Sequence, residues 1–234
     1  MYKLALAIFA VSLVSIGSKV FAFEDEVKDD CLSLDACLTK IEDVANRDSS
    51  RGIGAGSTAL ARRIVDFGDQ AVVKGLPLLK NKNPDIVKII GYAFREMKSI
   101  DPKHLPDIID ALDHKHESGW LVGALGRIAH PKAAEESVKR FLASGGIYNQ
   151  EFYAVKLHAK RAVPFIVAAS KCEYGCGART YELLASAISE LDIDSRKGIA
   201  EALIKIISDN ETDDIRASNI LSMYWNVGKT NTDI

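Results

Sequence analysis

Apolar residues recur at spacings of three and four along most of this chain, the period of a helix with one buried face. The clearest form is an alanine followed at once by a large apolar residue, then two free positions, then another apolar residue. It reads Ala93-Phe94-Arg95-Glu96-Met97, Ala124-Leu125-Gly126-Arg127-Ile128, Ala187-Ile188-Ser189-Glu190-Leu191 and Ala202-Leu203-Ile204-Lys205-Ile206, with Ala154-Val155-Lys156-Leu157 as a weaker copy. The small alanine lets a neighbouring helix approach, and the larger residues fill the space around it. Glu96, Arg127, Glu190 and Lys205 are expected to face outward.

Prolines mark a second regularity. Pro77 and Pro106 lie in apolar segments 29 residues apart, and Pro164 lies 58 residues further on, with the intermediate register falling at Glu135 inside Pro131 to Val138. Each unit of about 30 residues therefore reads as two helices and a turn, the first helix carrying a proline in its N-terminal half, where the lost hydrogen bond costs least. Asn83-Pro84 and Asp101-Pro102 place a capping residue before a proline at the first helical position, and Ser57 and Asp194 are further candidate caps. Ser33 to Asn46, with Leu34, Cys37, Leu38 and Ile41 on one face, reads as a capping helix, and Gly52 to Gly56 as a flexible connector behind it.

The segments Gly68-Asp69-Gln70-Ala71-Val72 to Leu76-Pro77-Leu78-Leu79, Asn83-Pro84-Asp85-Ile86-Val87 to Ala93-Phe94, and Asp101-Pro102 to Ile128 together resemble the HEAT-repeat family. The likeness is to bacterial HEAT-like repeats of about 30 residues, the type also found in lyase subunits that attach bilin pigments in phycobilisomes. It covers roughly residues 57 to 170 well and 178 to 208 loosely. No unit carries the arginine usual in such repeats near the place of Lys88, and the last two alanine signatures are only 15 apart, so the C-terminal part reads as paired helices. The resemblance implies an all-α fold, a short α-solenoid of stacked HEAT-like helical hairpins.

The N-terminus departs from this pattern. Lys3 precedes an almost wholly apolar run from Leu4 to Ile16, and Val20-Phe21-Ala22 follows with small residues where a signal peptidase inspects them. That is the layout of a secretory signal, and the run is shorter than the roughly 20 apolar residues a membrane span needs. The expected organisation is a signal peptide over 1–22, a capping helix and linker over 23–56, and the repeat domain over 57–234, with no membrane span after signal removal and a periplasmic or secreted location.

Of the 234 residues, 47% are hydrophobic and 26% charged, which is globular rather than disordered composition. The whole chain carries a net charge of −2. Cleavage removes Lys3 and Lys19 and no acid, leaving 28 basic against 32 acidic residues, a net of −4. A nucleic-acid partner calls for a basic excess, so none is expected. Cys31, Cys37, Cys172 and Cys176 allow three pairings, of which 31–37 with 172–176 is the simplest. In an oxidising compartment disulfides are expected rather than a four-thiolate metal cage.

Candidate chemistry is sparse. Asp113-His114-Lys115-His116-Glu117 is the densest set of potential metal ligands, but alternating histidines in a turn do not converge on one ion, so no metal is expected. His104, His130 and His158 are isolated, the first two at helix starts where exposure is expected. The chain has no Gly-x-Ser-x-Gly, phosphate loop or His-Glu-x-x-His. It therefore reads as a non-enzyme without cofactor, binding a protein partner as a scaffold or adaptor. The narrower version is an immunity or inhibitor protein for a toxin or envelope enzyme; an enzyme or lyase-type subunit and a structural envelope component are the alternatives. Trp120, Arg127, Tyr148 and Tyr174 are the candidate contact residues, being of the types that dominate interfaces.

Overall fold

The computed structural model describes residues 31–47, 53–114, 119–144, 149–170, 184, 188–189 and 191–209. Among them the chain is all-helical, and the sole β-type pairing is an isolated bridge between Ile100 and Ile128. The signal-type segment, Tyr148, Cys172, Tyr174 and Cys176 lie outside the described residues. The chain divides into two units, one ending at Met97 and the other beginning at Lys98.

In the first unit, α1 (Leu34–Thr39) and α2 (Ile41–Arg47) replace the single capping helix expected there. Ser33 caps α1, its Oγ accepting from the Ala36 N–H at 3.2 Å, and the Lys40 N–H closes the helix on Ala36. Leu34, Cys37, Ile41, Val44 and Ala45 are buried, so the break at Lys40 keeps an apolar face turned inward. Cys31 and Cys37 are disulfide-bonded, with Cα atoms 4.7 Å apart. This bridge pins the start of α1.

Both short helices pack on α3 (Ala55–Val65), and α2 and α3 pack on α5 (Pro84–Glu96). Gly54, not Ser57, stands at the N-cap of α3; Ser57 lies a turn inside the helix and is buried. The glycine connector thus ends at Gly54, and Gly56 is already buried helix. Between them, α4 (Asp69–Gly75) passes into a 3-10 turn, Leu76–Lys80. Pro77 is the second residue of that turn rather than part of an α-helix, because a proline supplies no N–H to continue the ladder from α4. α5 starts as expected, with Asn83 Oδ1 accepting from the Asp85 N–H at 3.0 Å and Pro84 at the first position. Its Ala93, Phe94 and Met97 are all buried.

In the second unit, a 3-10 turn (Pro102–His104) leads into α6 (Leu105–His114), followed by α7 (Gly119–Leu125), α8 (Pro131–Ala143), α9 (Asn149–His158), a 3-10 turn (Ala159–Arg161), α10 (Val163–Ser170) and α11 (Ile193–Ser208). α6 packs against α7, and α8 against α9, as antiparallel hairpin neighbours do. α7 also packs along α9, α8 along α10, and α10 along α11. The Ile100 N–H donates to the Arg127 carbonyl at 2.9 Å, which ties the entry of the first hairpin to its exit. The alanine signatures lie where the packing is tightest: Ala124, Leu125 and Ile128 are fully buried, as are Ala154, Val155, Ile188 and Leu203. α11 is capped by Asp192, which accepts from the Ser195 N–H at 2.9 Å; Asp194 sits in the first turn instead, paired with Lys160. The backbone needs a residue two or three places before its unsatisfied N–H groups, and Asp194 is already helical.

Candidate functional site

The helix α6 buries Leu105, Ile108, Ala111 and Leu112, a stripe at spacings of three and four. Two adjacent isoleucines on a helix stand about 100° apart, so Ile109 is left half-exposed beside buried Ile108. With Pro102, Leu105 and Pro106 it floors a groove of about 580 Å³ that runs past Asp110 and Asp113 to His130 and Lys132 at the start of α8. Asp101 orders the near end: its Oδ1 accepts from the Lys103 N–H at 2.9 Å and caps the 3-10 turn. With three residues per turn, that 3-10 segment exposes Pro102 and Lys103 and sends His104 inward. His104 is thus buried, against the exposure expected from sequence.

His130 behaves as expected for a residue at a helix start. It is exposed, and its Nδ1 accepts from the Lys132 N–H at 3.1 Å, so it caps α8 while Pro131 takes the first helical position. The Lys132 ammonium lies 3.1 Å from Glu135 and 3.2 Å from Glu136, and these two carboxylates hold its pKa above the usual lysine value. Lys139 and Lys132 in turn hold Glu135 below its ordinary range. Asp113, at the groove's edge, pairs with Arg140 of α8.

The contact residues expected from sequence do not gather at this groove. Trp120 is half-buried in the first turn of α7, and Arg127 follows the other end of that helix. Rather than facing outward, Arg127 is half-buried, donates to the Tyr153 hydroxyl and stacks with its guanidinium carbon 5.5 Å from the ring centre. It serves the α7–α9 packing first. Lys205 is exposed as expected, and Glu96 is half-exposed. Tyr148 and Tyr174 fall outside the described residues, as do Lys115, His116 and Glu117 of the candidate metal turn. Among the described residues no group of three or more His, Cys, Asp or Glu side chains is placed to hold a metal ion.

α9 buries two ionisable groups on one face, Glu151 and His158, seven residues or two turns apart. Among the described residues Glu151 Oε2 has no hydrogen-bond partner, and the His158 ring makes no well-aligned hydrogen bond, with the Leu125 and Ala133 backbone its nearest polar neighbours. Burial, with Arg161 adding to it, pushes His158 down to about 4, so the ring is neutral. Burial raises the Glu151 pKa. These groups sit in packed interior rather than in the groove.

Sequence reasoning missed the groove. The signal was present in Ile109, an apolar residue off the buried stripe, and in Asp107, Asp110 and Asp113, whose spacing of three draws a polar edge along α6. Comparison with protein-family models and with curated proteins finds no match.

Proposed function

We propose that this chain is an exported binding protein, a short stack of HEAT-like hairpins that holds a protein partner in the groove along α6 and the start of α8. The observation that carries the reading is the groove itself: an apolar floor of Pro102, Leu105, Pro106 and Ile109 left open beside a rim of charged residues. An open apolar surface ringed by polar groups is the usual form of a contact site. Stacking is supported by the way α7 adjoins α9 and α8 adjoins α10, since like helices of successive hairpins must meet if the repeats bury one another's faces. Export is supported by the Cys31–Cys37 disulfide, a bond that persists in oxidising compartments. An immunity or inhibitor role is the narrower form of this reading.

The test is affinity capture. The tagged chain, produced with its disulfide, is incubated with envelope extract of the cell that makes it, and the bound proteins are quantified. The reading expects one protein in near-equimolar amount; recovery of none in stoichiometric yield overturns it.

A further inference from the structure

We propose that the junction between α9 and α10 is an acid-sensitive hinge, in which proton uptake by the buried His158 ring releases the strained backbone at Ala159 and frees the 3-10 turn beyond it. The proposal does not depend on the binding reading above.

Two observations meet at adjacent residues. His158 closes α9 and is 2% exposed. Ala159 has a φ of 45°, and among the described residues it is the one non-glycine residue at positive φ. An L side chain adopts that left-handed conformation only where its surroundings enforce it. Here the packing on both sides does so. A β-carbon at Gly126 would come within 3.0 Å of the Leu157 Cβ, so the end of α7 lies directly on the residue before His158. Past the strained residue, Ala162 is fully buried and its N–H donates to the Ala159 carbonyl at 2.9 Å. Ala159 is thus held between two packed points.

The site offers the ring no carboxylate to receive a charge. Its nearest polar neighbours are the backbone of Leu125 and Ala133. Those carbonyls already accept from the Ile128 N–H at 3.1 Å and from the Ser137 Oγ at 2.8 Å. α7 carries no titratable side chain, and Arg127 beyond its end is engaged with Tyr153. The charged residues of α8, Lys132, Glu135, Glu136, Lys139 and Arg140, lie off its buried stripe and pair with one another or with Asp113. On α9 itself Glu151 stands two turns away and Lys156 is exposed. The 3-10 turn supplies Lys160, which pairs with Asp194 of α11 at 3.1 Å, and Arg161, whose charge opposes a second one on the ring. A protonated His158 is therefore better placed in water than in its site. The junction is where it reaches water most readily, because the same opening relaxes Ala159.

The experiment is amide hydrogen exchange of the full oxidised chain at pH 7 and pH 5, each rate referred to that of unstructured chain at the same pH. The lower value lies between the ordinary histidine pKa of 6.5 and the value of about 4 to which burial pushes this ring. Wild type is expected to lose protection at least ~10-fold from Leu157 to Ala162 on going to pH 5, while α6 and the middle of α8 keep theirs. His158→Leu is expected to keep the protection seen at pH 7 and to lose the pH step. Ala159→Gly is expected to raise protection at both pH values and to keep the step, since glycine adopts this φ without strain. Ring-carbon NMR of wild-type His158 puts the same question without a variant: the ring should protonate in step with the loss of protection. A step that survives His158→Leu, one spread evenly over the second unit, or a ring that protonates while the junction stays protected overturns the hinge. Protection in Ala159→Gly no higher than in wild type overturns the part assigned to strain.

Discussion

Gly126 sits so close to α9 that a β-carbon on it would lie 3.0 Å from the Ala154 Cα and 2.8 Å from Leu157 Cδ1. Two elements of the repeat pattern meet here. Gly126 is one of the free positions of one alanine signature, and Ala154 opens the next copy. Glycine on one side and alanine on the other let the end of α7 lie against α9, and Arg127, the next residue, then reaches Tyr153.

Gly126→Ala should therefore destabilise the protein by about 1–3 kcal/mol, since the new methyl meets the Ala154 backbone as well as the Leu157 side chain, and the backbone cannot give way cheaply. Gly119→Ala is the control, because a β-carbon there meets nothing within 4 Å. Urea unfolding of the two variants measures the difference. Equal midpoints would mean that α7 and α9 are not in this close contact.

Much of the fold was legible because its signals are local. The alanine signatures at 93–97 and 124–128 became buried stripes, and Asn83 and Asp101 became caps, since each depends on residues within one helical turn. The misreadings have the opposite cause. Ser57 and Asp194 are good capping types, but the helices start earlier, at Ala55 and Ile193, and Asp192 rather than Asp194 makes the cap hydrogen bonds of α11. Arg127 looked exposed by helical phase, yet α7 ends at Leu125, so the phase no longer applies. The groove needed two hairpins to be placed side by side, which no single spacing encodes.

Acid should weaken the second unit through His158. Its pKa in the folded chain, about 4, lies below the ordinary 6.5, so the unfolded chain takes up a proton first as the pH falls. The stability is whole above pH 6.5 and is lost as the pH drops from 6.5 through 4, by an amount on the order of 3 kcal/mol. Glu151 acts in the opposite sense: its raised pKa lets the folded chain bind a proton before the unfolded one does, which relieves a buried charge as the pH falls. His158→Leu should flatten the acid limb of a stability–pH curve. Glu151→Gln should raise stability at neutral pH and steepen that limb. An unchanged curve in both variants would remove these two groups from the account.

The Cys31–Cys37 bridge closes a loop with a sequence separation of 6 and should be worth about 2 kcal/mol. The Cys31 carbonyl also accepts from Arg63 Nε of α3 at 3.2 Å, so the bridge secures a contact between the capping helices and α3. Reduction, or Cys31→Ser with Cys37→Ser, should lower the denaturation midpoint and speed amide exchange in α1 before α5. Exchange rates in α1 that do not respond to reductant would show that the bridge constrains nothing.

The central claim is that the chain binds a protein through the groove of α6 and α8. Quantitative capture from envelope extract with wild type, Ile109→Asp and Arg127→Ala tests it most directly. The account predicts one near-equimolar partner on wild type and on Arg127→Ala, whose guanidinium is engaged with Tyr153, and loss of that partner on Ile109→Asp. A partner held equally by Ile109→Asp, or no stoichiometric partner at all, would contradict it.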